Sequence, residues 1–313
     1  MHINQQASEL LIKNQLISEI EVGLLDSNPY ISPKFLYDPL GSHLFTAITL
    51  LPEYYPTITE QRILDENKSD IAHHVGQGGT LIDLGAGNCE KAKTLFSSIQ
   101  PDYYVAIDFS TAYLEDSLTK LQAENPLIQM EAISMDFSKE LTIPSTVPGK
   151  RTFFYPGSSL GNFLYDEALR LLGQIKSQVN GGGLLIGIDL MKSDDLLINA
   201  YDDPLKITSA FNLNILRSLN NILGSNFAVE KFRHVVKINH EENRVELYLQ
   251  TLEELIISWP GNKRIFKKGD LIHTENSHKY TINSFQNLLY KSGFSTSTIW
   301  TDPNKYFAVI YAQ

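Results

Sequence analysis

The sequence predicts an α/β fold built on a mostly parallel, doubly wound sheet, with a second, smaller α+β lobe. The first observation is that five short apolar segments of β character alternate with helical patterns between residues 80 and 190, the order expected of βαβ units. The second is that this pattern changes near residue 194, where a helical stretch is followed by hairpin-like segments up to about residue 275. The third is that two β-type segments, TIWTD and YFAVIYAQ, close the chain.

The individual elements follow from periodicity and from turn residues. Apolar positions three and four apart predict a helix over residues 10–25, which Pro29 and Pro33 end. A segment rich in proline and tyrosine follows, and either a binding wall or an aromatic cap on the core would have this composition. Beyond it we expect helices at 59–72, 111–124, 166–179, 194–223 and 281–293, and strands at 81–84, 103–108, 128–135, 151–155, 184–190, 234–250 and within 298–313.

These patterns divide the chain into two predicted lobes. The sheet domain comprises residues 60–193 plus 280–313, and the smaller substrate-binding lobe comprises residues 1–59 plus 194–279. Completion of the sheet by the C-terminus would put the substrate cleft between the lobes.

The stretch LIDLGAGNCEKAK, residues 81–93, carries the strongest functional signal. It has the order strand, glycine turn, helix, with Asp83 ahead of Gly85 and Gly87, and the next strand ends at Asp108, 21 residues after Gly87. Glycines let the backbone approach a nucleotide-like ligand, and an acid at the end of the second strand can accept hydrogen bonds from both ribose hydroxyls. The pair predicts a bound nucleoside, although a turn that only packs a helix on a sheet would also need glycine.

The residue at position 90 favours one nucleoside cofactor over another. A dinucleotide fingerprint needs Gly or Ala there, whereas the negative charge of Glu90 would repel a pyrophosphate and tolerate a cationic sulfonium. S-adenosylmethionine is therefore favoured over NAD. Asp136 and Phe137 end the third predicted strand and could bind an adenine amino group and cover the base, or could be a capping Asp and a core Phe.

Composition disfavours several other classes of protein. The net charge of −10 and the pI of about 5.3 predict no attraction to nucleic acid, and the basic stretch KRIFKK, residues 263–268, is typical of an exposed hairpin edge. No apolar run approaches the roughly 18 to 20 residues that span a membrane, and the N-terminus lacks a secretory pattern. The one cysteine, Cys89, fits a reducing, cytoplasmic compartment, and we expect a monomer that acts on a small molecule.

Two further motifs allow more than one interpretation. PGSSLGNF, residues 156–163, contains GxSxG with Ser159 at its centre, as in serine hydrolases, but Asn162 in the same motif could offer its amide to a polar substrate beside the cofactor. In LIHTENSHKY, residues 271–280, Glu275 and Ser277 could hold the two nitrogens of an imidazole, or could lie at a solvated strand end. His273 and His278 match no zinc spacing, so we expect surface histidines and no metal site.

Several motifs together resemble one family. They are FLYDPLGSHLF, LPEYYPT, DLGAGNCEK, AIDFS, MDF, GSSLGNF, AYDDP, FN and TENS, and they run from about residue 33 to the C-terminal WTDP and FAV segments. On these motifs the chain is similar to the histidine-specific Nα-methyltransferases of ergothioneine biosynthesis. The resemblance implies a Rossmann-like methyltransferase sheet and three successive methyl transfers from S-adenosylmethionine to the α-amine of L-histidine, which give hercynine.

The resemblance also implies roles for individual residues. Those implied to bind the cofactor are Gly85, Lys91, Asp108, Asp136 and Phe137. Those implied to bind the amine and carboxylate of the amino acid are Tyr37, Tyr54, Gly161, Asn162 and Tyr201. Those implied to bind the imidazole are Glu275 and Ser277. Leu247 is implied to lie near the imidazole, at a position where relatives have a methionine; this small change in volume bears on side-chain specificity.

The expected chemistry is an in-line displacement, which depends chiefly on positioning a neutral amine. Tyr37 is the candidate for contact with the amine and Asn162 for its orientation, and neither is a strong base, since a phenol has a pKa near 10. Aromatic faces would tolerate the positive charge that accumulates with methylation. Two alternatives stay open from the sequence: a methyltransferase for another amino acid or small amine, and a serine hydrolase that uses Ser159.

Overall fold

The computed structural model of this chain describes residues 2–109 and 111–313. The α-helices are α1 (His2–Leu25), α2 (Pro39–Ile48), α3 (Tyr55–Glu66), α4 (Lys68–Val75), α5 (Glu90–Ile99), α6 (Thr111–Glu124), α7 (Tyr165–Gln178), α8 (Asp194–Tyr201), α9 (Ile207–Leu223) and α10 (Ile282–Lys291). The strands are β1 (Thr80–Leu84), β2 (Tyr103–Asp108), β3 (Gln129–Ser134), β4 (Arg151–Tyr155), β5 (Gly183–Asp189), β6 (Phe232–Asn239), β7 (Arg244–Thr251), β8 (Leu255–Trp259), β9 (Asn262–Phe266), β10 (Leu271–His278), β11 (Ser297–Thr301) and β12 (Phe307–Ala312).

The chain divides into two compact units. The sheet unit comprises Tyr55–Lys192 and Ser277–Gln313, and the insertion unit comprises Met1–Tyr54 and Ser193–Asn276. These limits lie within five residues of the lobe boundaries expected from the sequence. The assignment of cofactor binding to one lobe and substrate binding to the other stays a prediction.

The sheet unit is a doubly wound α/β structure, as predicted. Its seven strands have the order β11-β12-β5-β4-β1-β2-β3. Neighbours from β5 to β3 are parallel, and β12 runs antiparallel to both β5 and β11. From β1 the sheet extends through β2 and β3 on one side and through β4 and β5 on the other, so the strand order reverses direction between β3 and β4. Such folds bind ligands at the carboxyl ends of the strands on either side of this reversal, and β1 is one of them.

Both faces of this sheet are covered by helices. Consecutive residues of β1 point to opposite faces, so Leu81 belongs to one buried cluster and Ile82 to the other. The cluster that contains Leu81 includes residues of α3, α4, α5 and α6, and the cluster that contains Ile82 includes residues of α7 and α10. Burial on both faces explains why a central strand such as β5 is a nearly continuous apolar run.

The insertion unit has its own core. A three-stranded sheet of order β10-β7-β6 and a hairpin of β8 and β9 accompany helices α1, α2, α8 and α9. Apolar residues of α1, α2, α9 and β7 meet in one buried cluster that includes Leu24, Ile48, Ile215 and Leu249. Among the described residues, no helix is long and apolar enough to cross a membrane.

Three predicted elements are each two elements in the structure. The helix expected at 59–72 is two helices, because the Asn67 side chain donates to the carbonyl of Ile63 and interrupts the helix. The helix expected at 194–223 is also two, because Pro204 falls in the break and Asp203 accepts from the first backbone N–H groups of α9. The strand expected at 234–250 is the hairpin β6–β7, with Asn243 in a left-handed turn conformation.

Candidate active site

The glycine turn joins β1 to α5 through left-handed backbone. Gly85 and Gly87 have φ of +71° and +52°, and Cys89, which precedes α5, has φ of 61°. The backbone N–H of Gly85 donates to the carbonyl of Ile107 at 2.9 Å, which fixes the turn to β2. A Cβ placed on Gly85 would meet nothing within 4 Å. Open space therefore faces the turn at the position where the sequence predicts close approach of a ligand.

Asp108 lies at this turn, as the sequence led us to expect. Its Oδ2 accepts a hydrogen bond from the backbone N–H of Gly87 at 3.0 Å, and its side chain is half-buried. The structure thus brings the second glycine and the acid of the second strand together.

Asp83 is buried in β1 beneath the turn, with 1% of its surface exposed. Tyr104 donates to its Oδ2 at 2.8 Å, and its Oδ1 has no hydrogen-bond partner among the residues that the structure describes. Burial raises the pKa of this carboxyl to about 7, even though the Tyr104 hydroxyl opposes the shift. A buried carboxylate oxygen without a partner, two residues before the open position at Gly85, fits a cationic ligand, so these residues fit S-adenosylmethionine.

Lys91 lies at the start of α5, where its ammonium pairs with a carboxylate that the sequence analysis did not single out. Its Nζ is 2.6 Å from Glu60 Oε2, and the same carboxylate accepts from the backbone N–H of Gly157 at 2.8 and 3.0 Å. Glu60 is 1% exposed, and a Cβ on Gly187 would lie 1.9 Å from its Oε1, so only glycine leaves room there. The cofactor role of Lys91 stays a prediction.

Asp136 and Phe137 follow β3, where the sequence allowed either adenine binding or a capping Asp with a core Phe. Ser138 Oγ donates to Asp136 Oδ1, and Lys139 Nζ lies 3.9 Å from Oδ2. The Phe137 ring packs edge-to-face on Tyr155 with a centroid distance of 5.8 Å. Asp136 is thus a partly exposed acid in a turn and Phe137 is partly in the core, and their role toward adenine stays a prediction.

Gly161 and Asn162 belong to a short 3-10 helix, Ser159–Asn162, after β4. A Cβ on Gly161 would lie 3.0 and 3.1 Å from the backbone O and N of His278, and His278 Nδ1 is 2.8 Å from the Gly161 carbonyl. Since a carbonyl only accepts, Nδ1 carries the proton.

The prediction of surface histidines was wrong, because both side chains are half-buried. His278 bonds the Gly161 loop, and His273, whose pKa is lowered by burial, bonds Asn276 through Nε2 at 2.9 Å.

The geometry does not favour the hydrolase interpretation of this loop. The Ser159 hydroxyl donates to the backbone carbonyl of Pro156 at 3.1 Å, so its hydrogen is directed at the backbone rather than at a base.

In the insertion unit, the three tyrosines predicted to bind the amino acid lie in one aromatic cluster. Tyr37 packs edge-to-face on Phe45 and Phe211 at 5.5 and 5.4 Å, and Tyr54 packs on Phe45 and Tyr201, both at 6.2 Å. The proline-rich segment that carries Tyr37 and Tyr54 is therefore packed rather than extended. The structure thus brings the three tyrosines together, and their role toward the substrate stays a prediction.

The residues predicted for the imidazole lie at the end of β10. Glu275 and Ser277 are 8% and 6% exposed, so the alternative of a solvated strand end is wrong. Leu247, 1% exposed, lies on the neighbouring strand β7, and Thr274 Oγ1 donates to its carbonyl at 3.1 Å. Glu275 belongs to the insertion unit and Ser277 to the sheet unit, because the division between the units falls inside this strand.

Comparison with known proteins decides the family. The profile of the family described as histidine-specific methyltransferase, SAM-dependent, matches residues 16–313. This chain belongs to that family. It is a methyltransferase that depends on S-adenosylmethionine, and the resemblance on which the sequence analysis relied is confirmed.

Individual relatives of this methyltransferase agree with the family. It is 32% identical to histidine N-alpha-methyltransferase of Mycolicibacterium smegmatis over 91% of its own length and 90% of that protein, and 31% identical to the Mycobacterium tuberculosis protein of the same name over 96% and 94%. It is 27% identical to ergothioneine biosynthesis protein 1 of Neurospora crassa over 97% of this chain and 35% of that longer protein.

The methyltransferase also has buried charged residues that the sequence analysis missed. Glu60 had a usable signal, because it precedes Ile63 and Leu64 by three and four residues and so falls on the apolar face of a helix. Asp189, Lys192 and Lys279 gave no comparable signal, since each is a single charged residue at the end of a strand or within three residues after it.

Proposed function

We propose that this enzyme transfers methyl groups from S-adenosylmethionine to the α-amine of L-histidine, three in succession, and so makes hercynine for ergothioneine biosynthesis. The family match over residues 16–313 is the observation that carries the proposal, and the names of the relatives support histidine as the substrate. In each transfer the amine lone pair forms a bond to the methyl carbon as the carbon–sulfur bond breaks, and the amine must lose a proton before the next transfer.

The cofactor role is proposed for the residues around the glycine turn. Its members are Asp83, Gly85, Gly87, Lys91, Asp108, Asp136 and Phe137. The cofactor supplies an activated methyl group on a positively charged sulfur. The open space at Gly85 and the unsatisfied Oδ1 of Asp83 support this role, because a buried carboxylate attracts a cation and an open backbone admits a ligand.

The amino-acid end of the substrate is proposed to meet Tyr37, Tyr54, Tyr201, Gly161 and Asn162. Tyr37 and Asn162 have the catalytic roles of contacting and orienting the neutral amine. The packing of the three tyrosines with two phenylalanines supports binding of the methylated intermediates, because aromatic rings attract a quaternary ammonium without needing hydrogen bonds.

Recognition of the side chain is proposed for Glu275 and Ser277, with Leu247 nearby. A buried carboxylate rewards a ring N–H and leaves an unpaired acceptor when an apolar ring takes its place. The exposure of Glu275, only 8%, supports this role because its carboxylate is largely removed from water.

We also propose that the enzyme works as a cytoplasmic monomer and has no nucleic-acid partner. Its one cysteine, Cys89, is buried, and the chain carries a net charge of −10. Light scattering after size exclusion, with and without S-adenosylmethionine, tests the monomer; a concentration-independent dimer would contradict it.

The substrate is tested by incubating the protein with S-adenosylmethionine and all twenty amino acids in one mixture, followed by mass spectrometry. We expect a gain of three methyl groups on histidine alone, with one S-adenosylhomocysteine formed per methyl group. Trimethylation of a different amino acid would keep the enzyme class and overturn the assignment of Glu275 and Ser277. A reaction with an activated serine probe that Ser159→Ala abolishes would instead support the hydrolase alternative.

A further inference from the structure

A cluster of charged side chains lies buried at the end of β5 in the sheet unit. The Asp189 carboxylate, 1% exposed, accepts from the Tyr55 hydroxyl at 2.7 and 2.9 Å and pairs with Lys279 Nζ at 2.7 Å and with Lys192. The lysine side chains are only 3% (Lys192) and 1% (Lys279) exposed. Burial opposes ionisation of Asp189, but the two ammonium groups outweigh it and lower its pKa. Two buried cations therefore share one carboxylate.

The two lysines connect this cluster to different parts of the unit. Lys192 Nζ lies 4.4 Å from the centre of the Tyr55 ring and donates to the carbonyl of Leu190. Lys279 Nζ donates to Ser277 Oγ at 2.7 Å. Of these contacts, only the one made by Lys279 reaches a residue to which we assign the imidazole.

The backbone holds the Lys279 side of the cluster in place. Tyr280 N–H donates to the Asp189 carbonyl at 2.9 Å, and Met191 N–H donates to the Tyr280 carbonyl at 2.9 Å. The Asp189 N–H donates to Ser158 Oγ at 2.9 Å, which ties the same point to the loop that carries Gly161. Lys279 thus approaches Ser277 from a fixed position.

This contact decides which role the Ser277 hydroxyl plays. An ammonium group has three hydrogens and no lone pair, so it only donates, whereas a serine hydroxyl can donate or accept. Ser277 Oγ must therefore accept from Lys279, and its own hydrogen must be directed at a different group.

We propose that Lys279, held by Asp189, is a positioning residue that makes Ser277 a hydrogen-bond donor toward the unprotonated ring nitrogen of the substrate. This inference rests on the proposed function, in which Ser277 binds the imidazole. Glu275 would accept from the ring N–H, so the two side chains together offer one donor and one acceptor. This set is complementary to a neutral imidazole, which has one N–H and one unprotonated nitrogen. An imidazolium has two N–H groups and would meet the Ser277 hydrogen, and the buried Lys279 charge would repel it.

The test compares Lys279→Met with a matched variant. Met has a volume close to that of Lys. In Lys279→Met the Asp189 carboxylate keeps its contacts with Lys192 and Tyr55, so its negative charge stays paired with one ammonium group. Lys192→Met removes the other ammonium from the same carboxylate and leaves the Ser277 contact intact. Melting temperatures of both variants report any general loss of stability.

For Lys279→Met we expect the KM for histidine to rise about tenfold, with kcat and the KM for S-adenosylmethionine close to wild type, because a hydrogen bond to the substrate is weakened and no group at the methyl is changed. Ser277→Ala should show the same loss, and the double variant should be no worse than either single variant. Lys192→Met should leave the KM for histidine near wild type.

A substrate analogue makes the test specific to the hydrogen-bond pattern. In a pyrrole analogue of histidine, CH replaces the accepting nitrogen while the N–H remains. The wild-type enzyme should prefer histidine over this analogue, and Lys279→Met should reduce the preference about tenfold.

Three results would overturn the proposal. In the first, Ser277→Ala impairs histidine methylation and Lys279→Met does not. In the second, Lys279→Met and Lys192→Met lower histidine and cofactor binding alike, which would show a purely structural cluster. In the third, the wild-type protein fails to methylate histidine, which would overturn the proposed function as well. If Lys279→Met does not fold, Lys279→Gln, whose amide can donate or accept, replaces it with the same expectation at smaller magnitude.

Discussion

The glycine turn and the end of β10 both carry residues proposed to bind a small molecule, but they are built in different ways. The turn is local: Gly85, Gly87 and Cys89 take left-handed φ within five residues. The end of β10 depends on distant residues, since Lys279 pairs with Asp189, 90 positions away, and His278 bonds Gly161, 117 positions away. Backbone conformation of this kind can be predicted from local sequence, whereas long-range pairs such as Lys279 with Asp189 can be identified only in the fold.

If the two regions serve different ligands, substitutions should separate cofactor binding from histidine binding. The largest expected effect is that of Asp108→Ala. If its carboxylate accepts from both ribose hydroxyls as proposed, its loss should weaken S-adenosylmethionine binding about a hundredfold or more, since each hydrogen bond to a charged group contributes about 1.5 to 3 kcal/mol. Isothermal titration calorimetry measures this loss directly.

Asp102→Ala is the matched control for Asp108→Ala. Asp102 precedes β2, and its Oδ2 accepts from the Gly79 N–H at 2.8 Å, much as Asp108 Oδ2 accepts from Gly87 at the other end of that strand. Both variants lose one such backbone contact, so a common structural effect would appear in each. Equal cofactor affinity in Asp108→Ala and Asp102→Ala would remove Asp108 from the ribose site.

Glu275→Leu should have the next largest effect, and on the other ligand. We expect histidine binding to weaken about thirtyfold, because one hydrogen bond to a charged group contributes roughly 2 kcal/mol, while S-adenosylmethionine affinity changes little. Glu275→Gln, which keeps an acceptor without the charge, should lose less. Calorimetry with each ligand separates the two effects, and a parallel loss of both affinities would contradict a role in side-chain selection.

The same contrast explains how much could be predicted from the sequence. The parallel sheet, β2 and β4 with their ends, and the pairing of the turn with Asp108 followed from local pattern. The split helices and the β6–β7 hairpin did not, because single residues such as Asn67 and Asn243 end an element without disturbing the hydrophobic period. Burial of Asp189 and Lys279 could not be predicted either, since the two charges pair across different elements.

The pH dependence of cofactor binding tests the buried acid beneath the turn. Because the pKa of Asp83 is raised to about 7, the carboxyl is increasingly protonated below pH 7 and no longer attracts a cation. The affinity for S-adenosylmethionine should therefore fall as pH drops from 8 to 6, by up to about tenfold per pH unit. Asp83→Asn should make the profile flat over this range.

Protein stability without cofactor should show the opposite sign. The folded pKa of Asp83 lies above its ordinary value of about 3.9, so the folded state binds the proton more tightly. The contribution of Asp83 to the free energy of unfolding is therefore fully present below pH 4 and is lost as pH rises toward 7. Denaturant titrations of wild type and Asp83→Asn isolate this contribution, and a cofactor affinity in the wild type that does not depend on pH would place Asp83 away from the cofactor's charge.

Leu247→Met should have the smallest effect. It tests whether selectivity for the substrate side chain depends on one apolar contact rather than on Glu275 and Ser277. Thr274 bonds the Leu247 carbonyl, which the substitution keeps, and Leu and Met differ little in volume, so the expected cost is below about 1.5 kcal/mol. The KM for histidine should change by only a few-fold, and competition among amino acids should leave histidine preferred. If Leu247→Met instead changed which amino acid is methylated, selectivity would depend on shape at β7 rather than on hydrogen bonds at the end of β10.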